Sequence, residues 1–182
     1  MDAYEAIITR QSIRMYTAEA VPDEVIQELL TAGMSAPSGG NSRPWHFVVV
    51  TAREQLDALA VLKPVLERAP LAIVVCGDTR LPKYEGAWAI NCALASQNVL
   101  LAAHARGLGA VWLSCYPVSD RVARVVELLS LPEHVLPLNM IAIGYPAEEK
   151  PSRTQYDKYK VYWQKYEKRK RRAKIKNAKL LP

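Results

Sequence analysis

Ala36-Pro37-Ser38-Gly39-Gly40-Asn41-Ser42-Arg43-Pro44-Trp45-His46-Phe47-Val48-Val49-Val50 changes character part-way along. Its first part is rich in Pro, Gly, Ser and Asn and reads as a loop, whereas its last six residues are aromatic or β-branched and read as a strand. A glycine-rich loop entering a buried strand is a common place for a ligand. Upstream, Pro22-Asp23-Glu24 signals a helix start, with Val25, Ile26, Leu29, Leu30 and Met34 on one face and a stop near Ser35. Earlier still, Ala3, Ala6 and Ile7 give Asp2 to Arg10 the spacing of a short amphipathic helix, whose end delivers Arg10-Gln11-Ser12-Ile13-Arg14. Downstream, Arg53 to about Arg68 reads as helix interrupted by Pro64, and the apolar run Leu71 to Cys76 reads as a central strand buried on both faces. Glu85 to Arg106 is the longest helical stretch, ending at Gly107. After it come a strand from Gly109 to Tyr116, a helix from Ser119 to Leu129 with Ser119 as its cap, and a strand from Pro137 to Gly144. Helices and strands are mixed throughout, so the fold class is α/β or α+β.

The chain has 182 residues, half of them hydrophobic and 23% charged, which excludes extensive disorder and collagen-like or low-complexity classes. No apolar run approaches the roughly 20 residues of a membrane span, and the acidic start Met1-Asp2-Ala3-Tyr4-Glu5 has no apolar signal core, so a cytoplasmic protein without a membrane is expected. The net charge of +6 is unevenly spread: residues 151–182 hold 12 Lys+Arg against 2 Asp+Glu, and residues 1–150 hold 12 against 16. The basic character therefore belongs to the tail, and no specific nucleic-acid partner is expected, because a duplex needs a positive face on the folded body. Two regions follow, a domain over 1–155 and an aromatic, then basic, extension over 156–182 that contains Lys168-Arg169-Lys170-Arg171-Arg172. Cys76, Cys92 and Cys115 are odd in number and widely spaced, and the three histidines are scattered, so neither a disulfide framework nor a metal site is expected.

The glycines Gly107 and Gly109 follow a helix and precede a strand, the reverse of a dinucleotide-binding turn, and there is neither a GxxxxGK[ST] loop nor a GxSxG elbow. Arg10, Ser12 and Arg14 place two cations and a hydroxyl on alternate residues at a helix exit. Lys150 and Arg153 form a second basic pair after Gly144-Tyr145-Pro146. Convergence of such cations on one dianion is a common solution for a phosphomonoester.

Four segments, RQSIR (10–14), APSGGNSRPWHFVVV (36–50), GLGAVWL (107–113) and GYPAEEKPSR (144–153), resemble in order and spacing the FMN-dependent nitroreductase family, most closely its short branch. The resemblance spans about residues 1–155. It implies an α+β fold with a central, mostly antiparallel sheet flanked by helices, in an intertwined homodimer with two FMN sites. It also implies an enzyme, an NAD(P)H oxidoreductase working by alternate half-reactions through flavin N5 on a nitroaromatic, quinone or activated alkene. A flavin-binding or sensing protein without turnover, or a reductive dehalogenase-like relative, is the alternative. Carried over by position, Arg10 and Ser12 contact the phosphate and ribityl region, Arg14 approaches the pyrimidine edge, and Lys150 and Arg153 hold the phosphate. Pro37, Ser38, Gly39 and Asn41 come from the second chain, and the N–H groups of Ser114 and Cys115 face flavin N5 and O4. No dedicated catalytic side chain is implied, since the flavin carries the hydride itself. Arg43 stands where many members carry glutamine, and Ser114 where some carry an acidic residue or glycine. A lysine that often approaches the flavin before the third strand has no secure match: Lys63 is near, and the adjoining Pro64 leaves its register open.

Overall fold

Leu71–Asp78 is buried at every position, which requires a strand with neighbours on both edges and helices on both faces. In a computed structural model of the chain, residues 1–151 and 155–166 are described; Arg153 and the basic run 168–172 lie outside them. The elements are α1 (Ala3–Thr9), α2 (Asp23–Met34), β1 (Trp45–Val50), α3 (Arg53–Ala60), β2 (Leu71–Asp78), α4 (Ala87–Ala105), β3 (Gly109–Ser114), α5 (Ser119–Leu129) and β4 (Val135–Gly144). The sheet order is β1-β2-β4-β3, every pair antiparallel. A parallel bridge between Ser12 and Ala110 adds the chain after α1 to the free edge of β3. The class is therefore α+β, with a mostly antiparallel sheet.

Side chains that alternate along each strand divide the core in two. On one face Ile73, Val75, Ile141 and Ile143 pack with Ile26 and Leu29 of α2 and Cys92, Ala95 and Val99 of α4. On the other, Ala72, Val74, Met140 and Ala142 pack with Leu56 and Leu59 of α3 and Val125 of α5.

Several boundaries differ from the sequence reading for local reasons. The interruption expected at Pro64 is present, but α3 stops earlier, at Ala60, and Pro64 opens a separate 3-10 turn, Pro64–Glu67, because a proline is tolerated at a helix start and not within one. Ser119 is the first residue of α5 and not its cap; Val118 takes that position without a side-chain hydrogen bond. β4 begins at Val135 and runs through Pro137, which had marked the expected start. A bulge makes room for it, since Val75 pairs with Asn139 and Cys76 with Pro137, so that Leu138 is the extra residue.

Contacts divide the chain into Met1–Ser152 and Arg153–Pro182. In the second unit, Asp157 caps a 3-10 turn, Lys158–Lys160, by accepting from Tyr159 N at 3.0 Å, and the Tyr162 and Tyr166 rings lie 4.3 Å apart.

Candidate functional site

The outer edge of β3 collects the first group of candidate residues. In an antiparallel ladder, paired residues alternate between exchanging hydrogen bonds and turning their backbone groups away. Cys115 N donates to Leu138 O at 3.0 Å, so the alternation turns the backbone groups of Ser114, Trp112 and Ala110 away from β4. Ile13 N takes the outward carbonyl of Ala110 at 3.1 Å, as this phase requires. The Ser114 N–H thus opens on the same edge as the 10–14 segment, about 13 Å beyond the Ser12–Ala110 bridge at the usual strand rise. The bridge at Ser12 is parallel, so the chain from Arg10 to Arg14 runs in the direction of Ala110 to Ser114.

Gly109 permits this approach. A Cβ there would lie 2.6 Å from Ile13 Cγ2, inside any tolerable contact. The cations then gather by hydrogen bonding. Lys150 Nζ donates to Ser12 O and to Glu148 Oε1, each at 2.8 Å, and Lys150 O accepts from Gln11 Nε2 at 2.9 Å. Arg14 Nη1 reaches Ser12 O at 3.3 Å. Arg10 closes α1 by donating its N–H to Ala6 O, and its charge, after burial, helps push the His104 imidazole pKa down. Thr9 Oγ1 donates to Glu5 O, so the 2.8 Å contact with His104 Nε2 is one in which the imidazole donates. Arg10, Ser12, Arg14 and Lys150 are thus brought to one edge, and Arg153 lies outside the described residues.

Glu148 had no place in the sequence reading. Its Oε1 accepts from Arg14 N at 2.6 Å and Met15 N at 3.3 Å as well as from Lys150. The Lys150 hydrogen bond, then the Arg14 amide, holds the Glu148 carboxyl pKa below its ordinary value. The carboxylate is a strut joining the two basic segments, and it removes one unit of the charge they gather. Cys115 has a different place from the one expected. Its N–H is spent on Leu138 O, which also accepts from Tyr116 N at 3.0 Å, and its thiol is fully buried, with burial pushing the pKa up to about 11 against the opposing charges of Lys63 and Arg121. Lys63, whose register the sequence left open, therefore stands within electrostatic reach of the end of β3.

Beyond β3 the chain turns at a cis Tyr116–Pro117 peptide. The Tyr116 ring meets Trp88 edge-on, centroids 5.0 Å apart at 69°, beside a cleft of about 440 Å³ that Leu136 also lines.

A second group is built around Asn91, which is 4% exposed in α4. Its Oδ1 accepts from Gly39 N at 3.1 Å and its Nδ2 donates to Ser42 Oγ at 3.2 Å, pinning both ends of the 3-10 turn Gly39–Asn41 within the loop between α2 and β1. Pro37, Ser38, Gly39 and Asn41 all lie on this loop. Gly40, Asn41 and Arg43 have φ of 60, 54 and 42°, with Ser42 at -69° between the last two, so two non-glycine residues take left-handed conformations that disfavour a side chain. On either side of Asn91, Ile90 and Leu94 are 67% and 42% exposed, while Trp88, Cys92 and Ala95 are buried. A helix apolar all round normally has cover all round.

The profile of the Nitroreductase family matches residues 7–63 and 57–145. The chain belongs to the nitroreductase family. A protein of Methanothermobacter thermautotrophicus, named provisionally as an NADH dehydrogenase/NAD(P)H nitroreductase, is 47% identical over 169 residues, 91% of this chain and 88% of its own length. A Bacteroides thetaiotaomicron crystal structure with the same provisional name superposes with a TM-score of 0.86 at 44% identity, covering 90% of this chain and 98% of that one. An FMN-dependent nitroreductase from Clostridium difficile superposes at 0.84 with 29% identity, covering 90% and 99%. Among the described residues of this nitroreductase-family chain, no helix is long and apolar enough to cross a membrane.

Proposed function

We propose that this nitroreductase-family protein is an FMN-dependent NAD(P)H oxidoreductase that reduces a nitroaromatic, quinone or activated alkene as a homodimer. The observation that carries the reading is the β3 edge, with cations converging at one end and an outward N–H at the other. That donor set fits FMN, which has a phosphate dianion at one end and hydrogen-bond acceptors on its ring. When bound, FMN supplies a two-electron carrier that takes hydride from NAD(P)H at N5 and passes it to the acceptor.

In this reading Arg10, Lys150 and Arg153 hold the phosphate and Ser12 the ribityl region. Arg14 stands at the pyrimidine edge, where its fixed cation stabilises negative charge gathering on the ring and so favours hydride uptake. The Ser114 N–H orients the ring edge. Glu148 holds Lys150 and the Arg14 backbone in register with each other and limits the positive charge of the cradle. The Trp88–Tyr116 cleft, just beyond Ser114, offers apolar walls to a flat acceptor. Ile90 and Leu94 flank the residue that pins the Ser38–Asn41 loop, which supports a pairing in which that loop completes the partner's site.

The purified protein should be yellow and release FMN on denaturation, and it should consume NAD(P)H with a quinone. A colourless protein that takes up no added FMN refutes the reading. Flavin binding without NAD(P)H turnover would mark a storage or sensing protein instead.

A further inference from the structure

Arg43 has no assigned part in the site, yet the loop is organised around it. Its Nε donates to Asn41 Oδ1 at 2.8 Å and its backbone N donates to Ser38 Oγ at 3.0 Å. A guanidinium has donors only, so the Asn41 atom facing it must be the carboxamide oxygen, and the amide orientation is settled by chemistry. Both N–H bonds of Asn41 Nδ2 are then directed elsewhere. The Ser38 oxygen likewise receives a hydrogen bond and keeps its own proton to donate. One residue thus engages an acceptor on each of two loop side chains and leaves both to act as donors.

We infer that Arg43 is a positioning residue, whose side chain presets Asn41 as a hydrogen-bond donor toward the flavin that this loop helps to hold. The inference rests on the flavin reading above and deepens it. Arg43 acts through Asn41 and makes no contact with the cofactor itself. Its backbone gives a second sign of purpose. A φ of 42° disfavours arginine, so the contact is kept against a local conformational preference that glycine would satisfy better. Asn91 supplies the rigid support, holding Gly39 and Ser42 while Arg43 orients what lies between them.

The test is a flavin titration of the dimer by fluorescence, with thermal denaturation as the folding control. Arg43→Gly removes the guanidinium at a backbone angle that glycine prefers, so the melting temperature should hold or rise while the FMN dissociation constant rises about threefold to tenfold, the span of one ordinary hydrogen bond. Arg43→Gln, whose amide can still donate to Asn41 Oδ1, should stay within about twofold of the unaltered protein on the same scale. Asn41→Ala should weaken FMN, and Arg43→Gly added to it should cost nothing further, because a residue that acts through another has no effect once that other is gone.

Arg43→Gly binding FMN like the unaltered protein overturns the inference, and so do additive losses in the double variant. Failure of the unaltered protein to take up FMN overturns the flavin reading and this one together. FMN uptake with additive losses overturns this one alone.

Discussion

Replacing Gly109 with alanine tests whether the cradle depends on the close approach of two backbones. The new Cβ would sit 2.6 Å from Ile13 Cγ2, 2.7 Å from Ile13 Cβ and 3.2 Å from Cγ1. A rotamer change cannot relieve the second of these, because Cβ moves only with the backbone. To restore ordinary contact the 12–14 segment must retreat by about 1 Å, which stretches the 3.1 Å bond from Ile13 N to Ala110 O beyond hydrogen-bonding range. Overpacking of this kind costs about 1–3 kcal/mol, and the lost backbone bond about 1 kcal/mol more. For a domain of this size the melting temperature should fall by roughly 5–10 °C. The retreat carries Arg10, Ser12 and Arg14 off the β3 edge and pulls against the Lys150 and Glu148 hydrogen bonds, so FMN affinity should fall about tenfold or more. Gly107→Ala is the control. There φ is 75° and nothing lies within 4 Å of the added carbon, so it strains the backbone by about 1–2 kcal/mol and should leave the flavin site alone. Thermal denaturation and flavin titration of both variants decide the matter. If Gly109→Ala loses stability yet binds FMN like the unaltered protein, the approach of residues 12–14 to β3 does not shape the cradle, and the reasoning fails.

Lys150→Ala should weaken FMN by roughly 10- to 100-fold while riboflavin changes little, since a charge-assisted contact to the phosphate contributes about 1.5–3 kcal/mol; equal loss for both flavins would contradict the phosphate assignment. A pair of charges on α4, Ile90→Glu with Leu94→Glu, should yield monomers in analytical ultracentrifugation and lower FMN content, and an intact dimer would place the interface elsewhere. Asp78 is 4% exposed and hydrogen-bonded to Arg80, which with further help from His134 lowers its pKa from 3.8 to about 2. A depressed folded-state pKa contributes stability above the unfolded value and loses it as pH falls from about 4 to 2. With Arg80 largely in water the contribution is on the order of 1 kcal/mol. Urea unfolding of Asp78→Asn across that range should show the acid slope reduced by this amount, and an unchanged slope would remove Asp78 from the account.

Much of the element content was legible because the punctuation is local. β1 runs from Trp45 to Val50 as read, since Pro and Gly residues precede it and Thr51-Ala52 leads at once into α3. The uninterrupted apolar run at Leu71 announced a strand covered on both faces, and the structure extends it to Asp78. The order β1-β2-β4-β3 was not legible in this way. β2 and β4 have the same character in sequence, and their pairing joins residues 57 to 72 positions apart. The family resemblance carried the antiparallel sense of the sheet and not its strand order. Pro137 shows a further limit, because a proline inside a paired strand depends on a bulge, and a bulge is a property of two strands together.

Residue type decided how far the site could be read. Arg10, Ser12, Arg14 and Lys150 stand out by charge and spacing, and the structure brings them to one edge. Glu148 did not stand out, because Glu148-Glu149-Lys150 has the look of a solvated surface, where most such charges belong. Asn91 did offer a signal: an amide within the small apolar run Ala87 to Ala95 must find partners when buried, and its two hydrogen bonds hold the Gly39–Ser42 part of the loop. Ser114 and Cys115 mark the deepest limit. They are adjacent and both reached the candidate list through their backbone N–H groups, yet an antiparallel ladder sends neighbouring N–H groups to opposite edges. The phase is fixed by Cys115 N on Leu138 O and Ile13 N on Ala110 O, bonds that reach across 23 and 97 positions of chain. One residue's shift in register would exchange the two roles with no change in sequence. Which amide faces the outer edge of β3 is therefore a property of the assembled sheet, and on this sheet it is that of Ser114.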